Sequence, residues 1–506
     1  MMAPSLTVAT KCGPVVGYSD TYPLSNESTA KLDPARGGRP PVLKWLGVPY
    51  GQAGRWERPT PKSWTEPLEC LEFGAKFPEP ESLGGDLRLH LNIMASEGVT
   101  PDSQVAVLFW VYGGALNGGS SDSAMFDGTE WIRAQASRGK KFILVTASYR
   151  TNICGFFSGA DVKAVDDLGL SGNYGAYDII QALTWVQENI AAFGGDPNNV
   201  TLFGESAGAF LVSAMLVCGK RLFRRAIMQS GAAETLATFP LDQAYTAYPT
   251  ILASHAPDAA TSKDRIDQLR ALPIDELIET HSVNYTFRGV ALTIEDGPHA
   301  IWTENVIDRL ERGEWDEWIE AVIIGTNEHE GSTAAVFLQA DTTAGFSRLV
   351  STTVNTRLYA TPGAKLLGDQ LFFTPVWRQA RALARQPNKK SGRETRVYMY
   401  RFREVNDRLA KALPMNVGSA HALEIAFVFN VEVAWDEGSH ESKTAAVMGS
   451  LWSEFAINGS PDPNWRPFTS EQPSWLAIET GGKTKNESLV DYQDTLVDFT
   501  GKNFAT

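Results

Sequence analysis

The stretch that most constrains the fold is residues 200–210, Val-Thr-Leu-Phe-Gly-Glu-Ser-Ala-Gly-Ala-Phe. An apolar run enters it, Gly204-Glu205-Ser206-Ala207-Gly208 turns it, and Ala209 to Cys218 leaves it apolar on nearly every side. The pattern is that of a buried strand reversing straight into a buried helix through the G-x-S-x-G of a nucleophile elbow. The glycines have a steric reason: the two backbones approach too closely for a Cβ, and the reversal lifts one serine, Ser206, clear of the sheet. A helix starting at about Ala207 aims its unpaired amides, and the positive end of its dipole, at the place where negative charge would develop on a bound carbonyl.

An elbow needs a sheet to stand on, and the flanking sequence supplies one. Val105-Ala-Val-Leu-Phe-Trp-Val-Tyr112 is eight apolar residues without alternation, the pattern of a parallel strand covered on both faces. Phe142 to Tyr149 reads the same way, and Asn173 to Ile190 carries helical spacing at Ile180, Leu183, Trp185-Val186 and Ile190. Strands and helices thus alternate from 105 to 231, which predicts an α/β fold with a mostly parallel central sheet and helices on both faces. Residues 5–20 read as a hairpin turning at Gly13-Pro14, and Leu43 to Tyr50 as a strand. From 232 to 320 the pattern becomes mainly helical, with amphipathic stretches at Lys263 to Leu272 and Glu304 to Arg312; we read it as a capping insertion within one domain spanning 1–506. Ala321 to Gly325 and Thr395 to Phe402 are further strands, helical sequence runs from 363 to 385, and His421 sits on a loop before the apolar segment ending at Phe429.

Composition sets limits. With 43% hydrophobic residues in 506, a large core is available, and a formal net charge of -14 with pI about 5.1 argues against nucleic acid and against anionic membranes as partners. The apolar runs fall short of the ~20 residues of a membrane span. The four cysteines, Cys12, Cys70, Cys154 and Cys218, have neither C-x-x-C nor metal-ligand spacing, so no metal or other cofactor is expected. The first ten residues carry no basic and apolar leader pattern and no anchoring motif stands at the end, which gives a cytoplasmic expectation.

A serine nucleophile requires a base, and the base an orienting carboxylate, because a serine hydroxyl is negligibly ionised near neutrality. Six of the seven histidines, His255, His281, His299, His329, His421 and His440, follow Ser206, and position alone does not choose among them. The glycines after the strand at 105–112, Gly113-Gly114, followed by Ala115, suit either a tight turn or backbone amides directed at one point, as in an oxyanion hole.

Several segments choose together. Val111-Tyr-Gly-Gly114, Asn189-Ile-Ala-Ala-Phe-Gly-Gly-Asp-Pro197, Val200 to Gly208, Ala226-Ile-Met-Gln-Ser-Gly231, Asn327-Glu-His-Glu-Gly-Ser332 and His421 to Phe429 stand in an order that resembles the type-B carboxylesterase and cholinesterase family of α/β hydrolases along nearly the whole chain. The resemblance implies an α/β-hydrolase fold and a serine carboxylic-ester hydrolase, with Ser206 as nucleophile, His421 as general base and Glu330, rather than Glu328, as the acid. It places the oxyanion donors at the N–H groups of Gly114, Ala115 and Ala207, with Glu205 beside them in the substrate pocket. Where the family usually has a third glycine in the oxyanion loop, this chain has Ala115, which keeps the N–H and adds a methyl group. The positions of a disulfide found in secreted members correspond to Phe77 and Arg88, so that bond cannot form, and the short loop between them lacks the Trp with which cholinesterases bind a quaternary ammonium group. Around Phe287, Gly289 and Ala291, cholinesterases line the acyl pocket with phenylalanines; one is kept here, which implies room for a longer acyl group on a neutral small-molecule ester. Two rivals use the same residues or none: an acyl-transfer or lactone-processing enzyme with the same triad, and a catalytically dead binding module. The active base implies a single ionisation in the pH profile near the ~6.5 of an ordinary His. Oligomeric state is left open.

Overall fold

The computed structural model describes residues 6–20, 40–74, 87–284, 289–332, 362–408 and 417–489. Alternating partly buried and exposed residues build β1 (Leu6–Ala9), which pairs antiparallel with β2 (Pro14–Ser19) across the Gly13-Pro14 turn. The strand at Leu43 to Tyr50 is part of β3 (Val42–Ala53), and the two-residue β4 (Leu68–Glu69) lies beside β2. Next come β5 (Leu87–Ser96), β6 (Val105–Val111) and β7 (Phe142–Ala147), then β8 (Gly195–Glu205) and β9 (Arg225–Gln229). A separate small pair, β10 (Thr238–Phe239) and β11 (Leu292–Thr293), lies in the stretch 232–320. The main sheet is completed by β12 (Ala321–Asn327), β13 (Arg396–Phe402), β14 (Ser474–Glu479) and β15 (Lys483–Ser488).

Among the described residues the main sheet has 13 strands, ordered β1-β2-β3-β5-β7-β6-β8-β9-β12-β13-β14-β15, with β4 off that path beside β2. It is parallel from β7 to β14 and antiparallel at both ends. The alternation read between 105 and 231 corresponds to this parallel centre. β6, β7 and β9 are buried along nearly their whole length, as strands covered on both faces must be. The helices Tyr174–Asn189 and Ala207–Met215 cover it, the second buried at every residue.

Several elements are not read in the sequence, among them β5, the helix His440–Asn458 and the β14–β15 hairpin. β5 pairs antiparallel with β3 and β7, although Leu87, Leu89, Leu91 and Ile93 alternate with polar residues as a strand should. The 19-residue helix His440–Asn458, capped by the Ser439 side chain, and the β14–β15 hairpin were also missed. In the stretch 232–320 the described residues form the helices Tyr248–His255, Ser262–Ala271, Ile274–Asn284 and Val306–Glu311, around the short β10–β11 pair.

An aromatic cluster joins the two halves of the molecule at its centre. Trp110 of β6 lies 4.8 Å from Phe203 of β8 and 5.1 Å from Phe429, ring centroid to ring centroid. Phe429 ends the short helix Leu423–Phe429 that follows His421, so the packing anchors the His421 loop to the strands leading to Ser206.

Candidate active site

The elbow is built by close approach and backbone strain. A Cβ on Gly204 would lie 2.7 Å from Val111 O, and one on Gly208 only 2.1 Å from the same oxygen, so neither position tolerates a side chain. Gly231, at the end of β9, is needed for the same reason: its Cβ would fall 2.4 Å from Ser206 O. Ser206 has φ 54° and ψ −120°, a conformation that costs on the order of 1–3 kcal/mol and persists only where the surroundings impose it. Its N–H donates to Gln229 O at 2.8 Å, and Phe210 N–H bonds Ser206 O at 2.9 Å. Between Val200 and Cys218, Ser206 alone is not buried. The strain therefore exposes one hydroxyl on an otherwise closed surface.

The loops after β12 and β13 meet beside it. His329 N–H donates to Ser419 O at 3.0 Å, Ser419 N–H donates to His329 Nδ1 at 3.0 Å, and His329 bridges Ala420 in a parallel pairing. This zipper sets the next residues of each loop, Glu330 and His421, against one another. His421 Nδ1 stands 2.6 Å from Glu330 Oε2. The other carboxylate oxygen of Glu330 accepts from Ser230 Oγ at 2.6 Å and from Asn327 N–H at 2.6 Å, which fixes its orientation. Glu328 points elsewhere: Arg401 Nε at 2.9 Å and Arg403 Nε at 3.1 Å hold it, and despite partial burial these guanidinium groups depress its carboxyl to about 2.

His421 is crowded by acids that the sequence reading did not assemble. Its Nε2 lies 3.1 Å from Glu205 Oε1, yet that oxygen has no hydrogen-bond partner among the described residues, so the contact is Coulombic. Burial opposes an imidazolium here, but Glu205 and Glu330 outweigh it and lift His421 to about 9. Burial pushes Glu205 up to about 8 against the pull of His421, and pushes Glu424 up to about 7 with Glu330 adding to it. Three buried carboxyl groups around one ring favour its charged form and so work against the expectation of an ordinary histidine near ~6.5.

Ser230, Asn327, Glu424 and Phe372 were not singled out from sequence. Glu424 accepts from Asn327 Nδ2 and, at 3.2 Å, from Gln229 Nε2; a lone acid in the apolar run 423–429, three residues after His421, was the available signal. Phe372 lies on a π-helical turn, Asp369–Phe373, with its ring centroid 4.2 Å from that of His421. The helix that leads into this turn, Pro362–Gly368, comes close because Gly331 faces it: a Cβ there would lie 1.6 Å from Ala364 O.

The loop after β6 lies across the elbow. A Cβ on Gly113 would meet Glu205 Oε2 at 2.7 Å and Ser206 Cβ at 3.1 Å. Gly114, Ala115 and Leu116 take φ of 113°, 53° and 59°, and Gly114 is exposed. Ala207 opens its helix and is buried directly after the serine. Of the acyl-pocket expectations, Phe287 lies outside the described residues; Gly289 and Ala291 are buried beside the 244–246 stretch, where Gly289 O accepts Thr246 N–H and Ala291 N–H donates to Ala244 O, both at 3.0 Å. Phe77 also lies outside the described residues, and the four cysteines are free. No helix among the described residues is long and apolar enough to cross a membrane.

A model of the carboxylesterase family matches residues 8–362 and 355–495. The chain belongs to the carboxylesterase family. Among its relatives, a para-nitrobenzyl esterase of Bacillus subtilis is 28% identical over 491 residues, covering 88% of this chain and 93% of its own. Carboxylesterase 5A of Felis catus is 29% identical over 530 residues, covering 91% of each. Among solved structures, a PNB esterase superposes with TM-score 0.72 at 25% identity, over 97% of this chain and 98% of that one. A carboxylesterase of Geobacillus stearothermophilus gives 0.71 at 26%, over 95% and 97%. This family member has the α/β-hydrolase fold and is a serine carboxylic-ester hydrolase whose substrates are small-molecule esters.

Proposed function

We propose that Ser206, His421 and Glu330 form the catalytic triad, and that the enzyme hydrolyses neutral esters with acyl groups of butyryl size or larger. The observation that carries the triad is the 2.6 Å contact of His421 Nδ1 with a Glu330 whose other oxygen is already held by Ser230 and Asn327. Ser206 Oγ attacks the ester carbonyl while His421 Nε2 takes its proton. The tetrahedral oxyanion is held by the N–H groups of Gly114, Ala115 and Ala207, and its collapse expels the alcohol, protonated by His421. Water, deprotonated by the same imidazole, then attacks the acyl-enzyme and regenerates Ser206. Glu205 lines the pocket beside the nucleophile, and Phe287, Gly289 and Ala291 line the acyl side. No metal or cofactor enters any step of this reading.

The 232–320 segment is read as a cap inserted in a single domain, supported by one sheet that gathers strands from residue 6 to residue 488. The free cysteines fit the reducing conditions of the cytoplasm. The deciding experiment is intact-mass and peptide analysis after treatment with an organophosphate, followed by turnover of an ester series. One adduct on Ser206 with loss of all ester turnover is expected; an adduct elsewhere, or turnover that survives full labelling, would overturn the assignment.

A further inference from the structure

The oxyanion loop holds an unusual amount of strain, and the side chains that sustain it come from far away in the sequence. Ala115 and Leu116 are consecutive left-handed residues without glycine's freedom, at a cost of roughly 1–2 kcal/mol each. Such a conformation persists only when neighbouring groups over-determine it. Within the loop, Asn117 and Gly118 N–H both bond Gly114 O, at 2.9 and 3.1 Å. From outside, Asn152 N–H takes Leu116 O at 2.7 Å. Asn152 Nδ2 also reaches Asn117 O at 3.4 Å, and a further tie is a distant side chain: His281, 1% exposed on the helix Ile274–Asn284, meets Asn117 Oδ1 through Nε2.

The other face of the same ring is also engaged. His281 Nδ1 lies 2.7 Å from the hydroxyl of buried Tyr245. Tyr245 pairs with Val290 in an isolated antiparallel bridge, between Gly289 and Ala291. One imidazole thus spans the gap between the loop expected to hold the oxyanion and the segment expected to receive the acyl chain. A neutral ring suits both contacts, with Nε2–H donating to the Asn117 amide oxygen and Nδ1 accepting the tyrosine hydroxyl; burial, which pushes this histidine down to about 4, keeps it neutral.

We propose that His281 is a positioning residue that ties the oxyanion loop to the acyl-pocket segment, holding Asn117 with one ring nitrogen and Tyr245 with the other. The inference rests on the esterase reading above, since the amides it positions are those assigned to the oxyanion. Removal of a single oxyanion donor in such sites costs ~10²–10³ in kcat. Loss of the tether displaces donors without removing them, so a smaller effect follows.

The test is a set of variants assayed on a p-nitrophenyl ester and with a trifluoromethyl ketone, whose hemiketal oxyanion imitates the transition state. His281→Phe is expected to lower kcat about 10- to 30-fold and weaken the ketone in proportion, with KM within about threefold. His281→Gln, whose amide nitrogen reaches the Nε2 position, is expected to restore kcat to within about threefold. Asn117→Ala, a change on a partly exposed loop, carries the same expectation as His281→Phe and serves where phenylalanine disturbs folding. The double variant is expected to be no worse than either single one, because both break the same tie. Unchanged kcat in Asn117→Ala, equal losses for the Phe and Gln variants, or multiplicative losses in the double variant would each overturn the tether. Organophosphate labelling of the unmutated enzyme separates the two readings: no adduct on Ser206 sinks the triad, whereas a labelled, active enzyme indifferent to these changes sinks only the role of His281.

Discussion

The two halves of the proposed catalytic site are held by different means. The nucleophile's half, β6 to β9 with the elbow, is set by backbone: glycines at 204, 208 and 231 permit contacts that no side chain allows, and Ser206 is strained into place by its own strand and helix. The acid and base half, after β12 and β13, depends on side chains as well: a pairing of His329 with Ser419, part backbone and part imidazole, joins the two loops, and Ser230 Oγ, with the nearby Asn327 N–H, fixes the Glu330 carboxylate facing His421. A backbone-built half has no adjustable part, while a side-chain network surrounded by further carboxyl groups gives graded responses. Substitutions should therefore be all-or-nothing at the elbow and progressive across the acid network.

The largest expected effect tests the first half of that contrast. Ser206→Ala should lower kcat by on the order of 10⁵ to 10⁶, and His421→Ala nearly as much, because the triad acts as a unit. Steady-state turnover at saturating ester measures it, with organophosphate adduct formation as the second reading. Residual activity within 10² of the unmutated enzyme would show that another nucleophile serves, and the contrast would collapse.

The acid side should be more forgiving. Glu330→Gln removes orientation and imidazolium stabilisation but keeps the base, so a loss of roughly 10³ to 10⁴ in kcat is expected. Glu328→Gln should change kcat less than threefold, since that carboxylate faces Arg401 and Arg403 instead of the imidazole. If the Glu328 variant lost activity and the Glu330 variant kept it, the acid assignment would be reversed.

How far each half could be read from the sequence follows the same division. The elbow is local: strand, turn and helix lie within about twenty residues, so pattern and steric need coincide in one window. The acid and base needed the family resemblance, because nothing in one linear window distinguishes His421 from His329 or Glu330 from Glu328; the distinction arises where two loops zip together. The carboxyl groups around the imidazole were invisible for the same reason, Glu205, Glu330 and Glu424 being brought together from separate elements. β5 is a different case, since its alternation of Leu87, Leu89, Leu91 and Ile93 with polar residues is legible within one local window.

That crowding gives a third prediction, smaller again. Because Glu205 favours the imidazolium, His421 in the free enzyme should titrate above the ~6.5 of an ordinary histidine, and the acid limb of kcat/KM should lie correspondingly high. Replacing Glu205 with Gln removes one of the three carboxyl groups that raise it, so the limb should move to lower pH and the variant should retain a larger fraction of its maximal rate at pH 6. A limb that stays put, or moves upward, would mean that Glu205 does not act on His421 through charge.

The smallest effect concerns the proposed acyl side. Gly289 and Ala291 stand where the resemblance implies aromatic residues, and the segment is pinned to 244–246 by backbone bonds, so the wall proposed for the acyl pocket would be built by backbone like the elbow. With less ring volume the pocket should accept longer chains. Each methylene buried in the transition state is worth ~0.8 kcal/mol, about fourfold in kcat/KM. The methyl of Ala115 works against this by narrowing the site near the carbonyl, so the gain should begin beyond the first carbons of the chain. Butyrate or longer p-nitrophenyl esters should therefore outrun the acetate, neutral alcohol groups should be preferred to choline, and Gly289→Phe should reverse the acyl order while keeping acetyl turnover. A wall fixed by backbone cannot retreat from the added ring, so the reversal should be sharp. A steady fall in kcat/KM from acetate to octanoate in the unmutated enzyme would show that the acyl chain is housed elsewhere.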